Sequence, residues 1–194
     1  NSETYRVMLV PVNTNTLSVA GTLQEQLNTI YKQAVVQWTV EQEKTPLQVS
    51  FTGKFDDGAS DMLSNYTDDM KKVINAYTKD HRMQNDTYYL FMVSNSDSGN
   101  TLGYMPRKKQ AGFIFVDKLL DNANAVKTIA HELGHGAFRL KHTFSEYPSL
   151  TKGKTDNLMD YNTSGTNLYH SPSRNPSMHM SSLHTLHTTT VFGQ

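Results

Sequence analysis

The feature that most constrains this chain of 194 residues is the pentapeptide His131-Glu132-Leu133-Gly134-His135. On a helix, residues four apart lie on one face, so the two histidines can bind one metal ion with Glu132 beside them. The residues before the motif predict such a helix, because Asp121 or Asn122 can cap its first turn. Apolar residues then recur at helical spacing, at Val126, Ile129, Ala130, Leu133 and Ala137.

Composition limits the kind of metal site and the kind of partner. The sequence has no cysteine, so histidine and carboxylate are the remaining strong ligands. Lys and Arg number 18, as do Asp and Glu, and this balance leaves no basic field for a nucleic acid. No apolar run approaches the roughly 20 residues that a membrane span needs. We expect one domain and a monomer, with neither nucleic acid nor a membrane span.

The remaining elements are predicted in an α/β order. Alternating or continuous apolar runs predict strands at 5–12, 47–51, 87–93, 101–105 and 111–116. Helical spacing of apolar residues predicts two further helices, at 22–40 and 60–79. Pro106 ends the fourth strand and marks it as an edge strand. The sequence therefore predicts a twisted mixed sheet of about five strands with helices packed against it.

Two histidines are too few for a catalytic zinc site, which takes three protein ligands and keeps one position for water. His142, seven residues after His135, is the nearest candidate for the third ligand. Three carboxylates that follow it are the alternatives, namely Glu146, Asp156 and Asp160. Glu132, next to the first ligand, can accept a proton from the water as a general base.

The motif and the residues after it resemble the metzincins, a branch of the zincin metallopeptidases. The metzincin pattern is H-E-x-x-H-x-x-G-x-x-H, followed by a turn containing Met. This chain has Phe138 where the pattern has Gly, and His142 lies one residue later than in the pattern. An extra residue can supply the turn of the missing Gly, and Gly136 can loosen the end of the helix. The resemblance implies a zincin-like fold with Zn²⁺ bound by His131, His135 and His142.

The segment Asn157-Leu-Met-Asp-Tyr161 is similar to the Met-turn of that family. The resemblance implies that Met159 packs beneath the metal and that Tyr161 stabilises the oxyanion of the tetrahedral intermediate. A tyrosine of the core is the alternative interpretation of Tyr161. In zincins an edge strand above the cleft pairs with extended substrate, and the candidates for that edge are Leu102, Gly103 and Tyr104.

The same motifs look like those of metallopeptidase domains at the ends of large bacterial surface or toxin-like proteins. The resemblance implies a zinc-dependent endopeptidase acting on a peptide or protein substrate, with Glu132 as general base and proton shuttle. Because a free broad peptidase is hazardous in cytoplasm, we expect a secreted or extracellular protein. The alternative function is a catalytically silent or latent zinc-binding effector or binding module that docks a partner without turnover.

Within one catalytic domain we expect two parts. Residues 1–137 form an N-terminal zincin subdomain that ends with the active-site helix, and residues 138–194 form a small irregular C-terminal subdomain with the third ligand and the Met-turn. From residue 162 onward the sequence has no Asp, Glu or Lys, and Arg174 is its one strong cation. This tail has weak helix propensity, and a short helix near 178–186 is the element that its pattern permits.

Overall fold

The computed structural model of the protein describes residues 1–58, 65–162 and 165–168. A five-stranded sheet runs through it, with strands β1 Glu3–Pro11, β2 Val36–Gln42, β3 Thr87–Val93, β4 Gly103–Tyr104 and β5 Ala111–Phe115. The strands lie in the order β2-β1-β3-β5-β4. The first four pair in parallel and β4 pairs with β5 in the antiparallel direction. This is the mixed sheet that the sequence predicts.

Helices cover both faces of the sheet. The described part of the chain contains α1 Leu23–Tyr31, α2 Asp68–Thr78, α3 Asn122–Phe138 and the short α4 Thr143–Glu146. Short 3-10 turns lie between strands and helices at Ser18–Gly21, Lys32–Ala34 and Val116–Lys118. Helices α1 and α3 pack over one apolar core and α2 over a second. Of the helices described, none is both long and apolar enough to cross a membrane.

Strand β3 separates these two cores. Leu90 and Met92 belong to the core under α1 and α3, whereas Tyr89, Phe91 and Val93 belong to the core under α2. This alternation is the two-residue period of a strand. Both faces are covered, as is usual for a parallel strand, and the run is therefore apolar throughout. The prediction of a central strand at 87–93 is confirmed.

The helix predicted for 22–40 is wrong in its second half. Helix α1 ends at Tyr31, and after one 3-10 turn Val35 takes a left-handed backbone with φ 58° before β2 begins. From Val36 onward, apolar and polar residues alternate and β-branched residues are frequent, which favours a strand. The spacing that places Trp38 on the apolar stripe of a helix also places it on one face of a strand. Trp38 is a core residue, as predicted.

The strand predicted for 47–51 is absent from the described sheet. Leu47 makes an isolated bridge to Val12. Val49, two residues further on, bonds to the side-chain amide of Asn13. The amide donates to the Val49 carbonyl at 2.9 Å and accepts from the Val49 N–H at 3.0 Å. A side chain thus takes the place of a neighbouring strand as the hydrogen-bond partner. The fifth strand of the sheet is β2 instead.

The helix predicted for 60–79 begins later than expected. The Thr67 hydroxyl accepts a hydrogen bond from the Met70 N–H at 3.2 Å and so caps the first turn of α2. Asp68 and Asp69 follow in that turn, where negative charge is favourable. Residues 59–64 and the tail helix near 178–186 lie outside the described residues. The division of the chain into 1–137 and 138–194 stays a prediction.

The two edges of the sheet differ in a way that affects the site. At the edge formed by β2, the Asn28 side chain of α1 bonds to the N–H and the carbonyl of Trp38 at 2.6 and 3.0 Å, and Gln24 accepts from the Val40 N–H. At the other edge, no described strand lies beyond β4. Strand β4 also contacts α3. The uncovered edge therefore lies beside the helix that carries His131.

Candidate metal centre

Three histidines from two segments meet at one point. His131 and His135 lie one turn apart on α3, and His142 directly precedes α4. The Nε2 atom of His135 lies 3.1 Å from Nε2 of His131 and 3.1 Å from Nε2 of His142. Two nitrogens that bind one zinc ion in a tetrahedral site lie roughly 3.3 Å apart. The separation of these atoms therefore fits ligation of one shared ion.

Backbone carbonyls fix the orientation of two of the rings. The Nδ1–H of His131 donates to the Leu158 carbonyl at 2.8 Å, and that of His135 donates to the Leu140 carbonyl at 2.6 Å. Because a carbonyl can only accept, each Nδ1 carries the proton of a neutral ring. Burial lowers the pKa of both histidines, and it lowers the pKa of His142 to about 4. The Nε2 lone pairs therefore face one another, and a shared cation is the ligand that such an arrangement suits.

The return of the chain to His142 depends on Arg139. Helix α3 ends at Phe138, and Arg139 follows in the left-handed region with φ 58° and ψ 20°. The N–H groups of Arg139 and Leu140 donate to carbonyls of the last helical turn, both at 3.1 Å. Arg139 thus forms the turn before His142, and no glycine is needed there.

The two glycines of the motif make room for methionines. A Cβ added at Gly134 would lie 2.7 Å from Sδ of Met159, and one added at Gly136 would lie 2.5 Å from Sδ and Cε of Met105. Both glycines lie within α3. The helix continues past Gly136 to Phe138, and the missing side chain of Gly136 serves close packing with Met105. That Gly136 loosens the end of the helix stays a prediction.

Residues 157–161 form a tight turn that is joined to the segment after the third histidine. The Asn157 side-chain carbonyl accepts from the Met159 N–H at 2.8 Å and from the Thr143 hydroxyl at 3.0 Å. The Thr143 N–H in turn donates to the Met159 carbonyl at 3.2 Å. Met159 is buried against Gly134, between the two histidines of the helix in sequence. The turn thus lies against α3 at Gly134.

Glu132 is buried between α3 and the edge strand, with 7% of its surface exposed. A Cβ added at Gly103 would lie 2.9 Å from Cγ and 3.2 Å from Oε1 of Glu132. Burial raises the pKa of Glu132 to about 8, and a hydrogen bond from the backbone of Met105 opposes that rise. The absence of a side chain at position 103 therefore lets β4 lie directly on the carboxylate.

Tyr161 lies beside the histidines and in contact with solvent. Its ring centroid is 4.7 Å from that of His142 and 6.1 Å from that of His131. Partial burial raises its pKa, and the charges of Glu132 and Asp160 raise it further. Because 49% of its surface is exposed, the alternative of a core tyrosine is wrong.

The three carboxylates considered as alternatives to His142 are placed differently. Both oxygens of Asp160 accept hydrogen bonds from backbone N–H groups. Asp156 accepts from a side-chain amide at 2.7 Å, and Glu146 is exposed on α4. Among the described residues, the ligand group that contains His131 and His135 is completed by His142.

Comparison with known proteins bears on the fold. No family model and no curated protein matches the sequence. The crystal structure of archaemetzincin from Methanopyrus kandleri aligns with 96% of this chain and 96% of its own, with a TM-score of 0.56 and 14% sequence identity. The fold is similar to that of archaemetzincin. This likeness confirms the predicted α/β fold, a mixed five-stranded sheet with packed helices.

One buried side chain beside the histidines, that of Lys127, is not predicted from the sequence to have a role in the site. Lys127 is 5% exposed, and its Nζ donates to the carbonyls of Leu158 at 2.7 Å and Asn157 at 3.2 Å. The Leu158 carbonyl thus accepts from both Lys127 and His131. Burial lowers the pKa of Lys127 to about 8, and the charge of Asp160 opposes that change. The sequence does carry a signal for this contact. Lys127 lies four residues before His131 and therefore on the same face of the helix, and a lysine on a buried face is unusual.

A second group of acidic residues lies away from the histidines in sequence. Carboxylate oxygens of Asp56, Asp57 and Asp97 lie within 4.8 Å of one another. The Ser98 hydroxyl donates to Asp57, and the Asp57 N–H donates to Asp97 at 3.3 Å. These hydrogen bonds join two loops that follow different parts of the archaemetzincin-like sheet.

Proposed function

We propose that the protein is a zinc-dependent endopeptidase in which His131, His135 and His142 hold the metal. The observation that carries the proposal is the convergence of three imidazole Nε2 atoms, each 3.1 Å from a neighbour, beside the buried carboxylate of Glu132. Three imidazole ligands leave the fourth position that catalytic zinc keeps for water or substrate. Similarity of fold to archaemetzincin supports the same function.

The chain's own residues account for the proton transfers of peptide hydrolysis. When bound, zinc would polarise the scissile carbonyl and lower the pKa of a water molecule. Glu132 is held between α3 and β4 next to the histidines, where its carboxylate can accept the proton of the attacking water. The same carboxyl group then donates that proton to the leaving amine. The exposed hydroxyl of Tyr161, whose ring neighbours His142, is proposed to donate a hydrogen bond to the oxyanion.

Strand β4 is the proposed binding edge for an extended peptide. The Leu102 carbonyl accepts from the Phe115 N–H at 2.9 Å, and Tyr104 pairs with β5 opposite Phe113. Because backbone groups of successive residues in a strand alternate in direction, the N–H and carbonyl of Gly103 face away from β5. Those two groups, next to Glu132, would therefore pair with the backbone of the substrate.

Metal removal tests the proposed function. We expect the purified protein to bind one zinc ion per chain and to cleave fluorogenic peptides and casein. Dialysis against a chelator should abolish cleavage and added zinc should restore it, because the bound zinc would both activate the water and polarise the scissile carbonyl. Unchanged cleavage by the zinc-free protein would contradict the proposal. One bound zinc ion with no cleavage of a broad peptide panel would favour the zinc-binding module instead.

A substitution at the edge strand tests the contact between β4 and the general base. Gly103→Ala places a methyl group within 2.9 Å of Glu132, so the carboxylate must move. We expect kcat/KM to fall by about 10- to 100-fold, since misplacing a catalytic group by about 1 Å has effects of that size. Zinc content should not change. Gly21→Ala is the matched control, because nothing lies within 4 Å of its added Cβ, and full activity is expected there.

A further inference from the structure

A cationic side chain lies beside the third histidine. The Nζ of Lys152 is 4.6 Å from the ring centroid of Tyr161 and 5.5 Å from that of Phe144. Both rings pack against His142, Phe144 in a stacked arrangement at 5.1 Å and Tyr161 at 4.7 Å. Cation–π contacts with two rings hold the ammonium group in one place. Lys152 is exposed, so its charge is available to a ligand in the cleft.

A second cation reaches the site from the edge strand. Met105 follows β4, hydrogen-bonds Glu132 through its backbone and packs on Gly136 of α3. Arg107, two residues later, begins an exposed basic turn of three residues. The contact of Met105 with Gly136 places the start of this basic turn two residues from the helix that carries His131 and His135.

Neither cation is paired with a carboxylate in the part of the chain that the structure describes, where the ion pairs are Arg6–Glu41 and His81–Glu43. Of the nearby acidic groups, Glu132 is buried and Asp160 accepts several internal hydrogen bonds. The exposed Glu146 makes no ion pair with either cation. Arg107 and Lys152 are therefore exposed positive charges that no described carboxylate neutralises in an ion pair.

We propose that the enzyme selects peptides with Asp or Glu near the scissile bond, and that Lys152 and Arg107 bind those carboxylates. This inference rests on the proposed peptidase function. In a peptide that pairs with β4 in the antiparallel direction, the residues before the scissile bond lie at the end of β4 that Arg107 follows. Lys152, next to Tyr161 and His142, serves a residue close to the scissile bond itself. The substrate class is therefore an extended acidic peptide.

Paired peptides test this preference. Two fluorogenic peptides of one sequence, carrying Asp and Glu or the isosteric Asn and Gln around the cleavage site, are compared by kcat/KM. We expect the acidic peptide to be preferred by about fivefold for each paired carboxylate at low salt, with the preference shrinking as salt is added. Lys152→Glu and Arg107→Glu should each reverse the preference at their own position. Lys44→Glu, an exposed lysine beyond β2 at the opposite edge, makes the same charge change and should leave the preference intact.

The variant Lys152→Gln separates substrate binding from support of Tyr161. If Lys152 binds carboxylates, Lys152→Gln loses kcat/KM for the acidic peptide and keeps it for the neutral one. An equal loss for both peptides would make Lys152 a support for Tyr161 and would overturn its assigned role. Equal kcat/KM for acidic and neutral peptides in the parent protein would overturn the preference while leaving the peptidase function intact.

A binding measurement keeps the inference testable without turnover. Fluorescence anisotropy of the same labelled peptides is measured with Glu132→Gln protein, with and without zinc. Tighter binding of the acidic peptide, lost in the double variant with Lys152→Glu, supports the basic cleft even if no peptide is hydrolysed and the proposed function fails. Equal affinities for the two peptides would contradict it.

Discussion

Replacing Glu132 by Gln is expected to lower peptide hydrolysis by roughly 10²- to 10⁴-fold, the usual contribution of a general base. Gln has the same shape and can accept the hydrogen bond from the Met105 backbone, but it cannot take a proton from water. Because burial disfavours the charged carboxylate at this position, the neutral side chain should not destabilise the fold. The zinc content of the variant should equal that of the parent, since Glu132 is not among the three converging ligands.

The measurement is kcat/KM on a fluorogenic peptide, with zinc determined on the same samples. Glu146→Gln is the matched control, because it makes the same chemical change at an exposed carboxylate on α4. This control should keep both activity and zinc. A Glu132→Gln protein that cleaves the peptide as fast as the parent would show that Glu132 is not the base.

Replacing His142 by Ala is expected to weaken zinc binding by more than the 10- to 100-fold that loss of an outer-shell partner costs, because a direct ligand is removed. After dialysis against buffered zinc, the variant should hold far less than one zinc ion per chain and should lose hydrolysis with it. The fold should persist, since His142 follows the helix and forms part of neither apolar core. Urea unfolding without zinc checks that point.

Asp156→Asn and Glu146→Gln are the comparisons for His142→Ala, because both carboxylates were alternatives for the third ligand. Asp156 bonds an amide and Glu146 is exposed, so neither change should alter zinc affinity. Full zinc occupancy in His142→Ala, together with a loss in one of these variants, would move the third ligand to a carboxylate.

Local patterns account for what the sequence predicts well. The helix of the motif follows from its cap and its apolar spacing, and Asp121 does accept from the Asn124 N–H at 3.0 Å. The central strand at 87–93 is apolar on both faces and rich in aromatic residues, which favours a buried strand. The metal-binding motif is local as well, because residues four apart on one helix meet without help from the rest of the fold.

Long-range contacts account for what the sequence does not reveal. The outer edge of β2 is completed by Asn28 from a different element. At 47–51 the side chain of Asn13, rather than a neighbouring strand, is the hydrogen-bond partner of Val49. The spacing places Lys127 and His131 on one face of α3, but it does not indicate that the Leu158 carbonyl accepts a hydrogen bond from both. The contact between Gly103 and Glu132 likewise depends on how a two-residue strand crosses the helix.

The turn before His142 can be predicted from the sequence only in part. The departure from the metzincin pattern is visible in the sequence as Phe138 and one extra residue. Which residue takes the left-handed conformation is set by where α3 stops packing, and Arg139 takes it although glycine is the usual choice. A pattern can therefore indicate that a turn is needed here without indicating which residue makes it.

X-ray absorption at the zinc edge measures the three-histidine centre most directly. Zinc-loaded protein should give three imidazole nitrogens and one oxygen ligand, at about 2.0 to 2.1 Å, as in a catalytic site with an open fourth position. The His142→Ala protein, loaded with excess zinc, should show one imidazole fewer. A parent spectrum with two imidazoles and carboxylate oxygens, unchanged by His142→Ala, would contradict ligation by His131, His135 and His142.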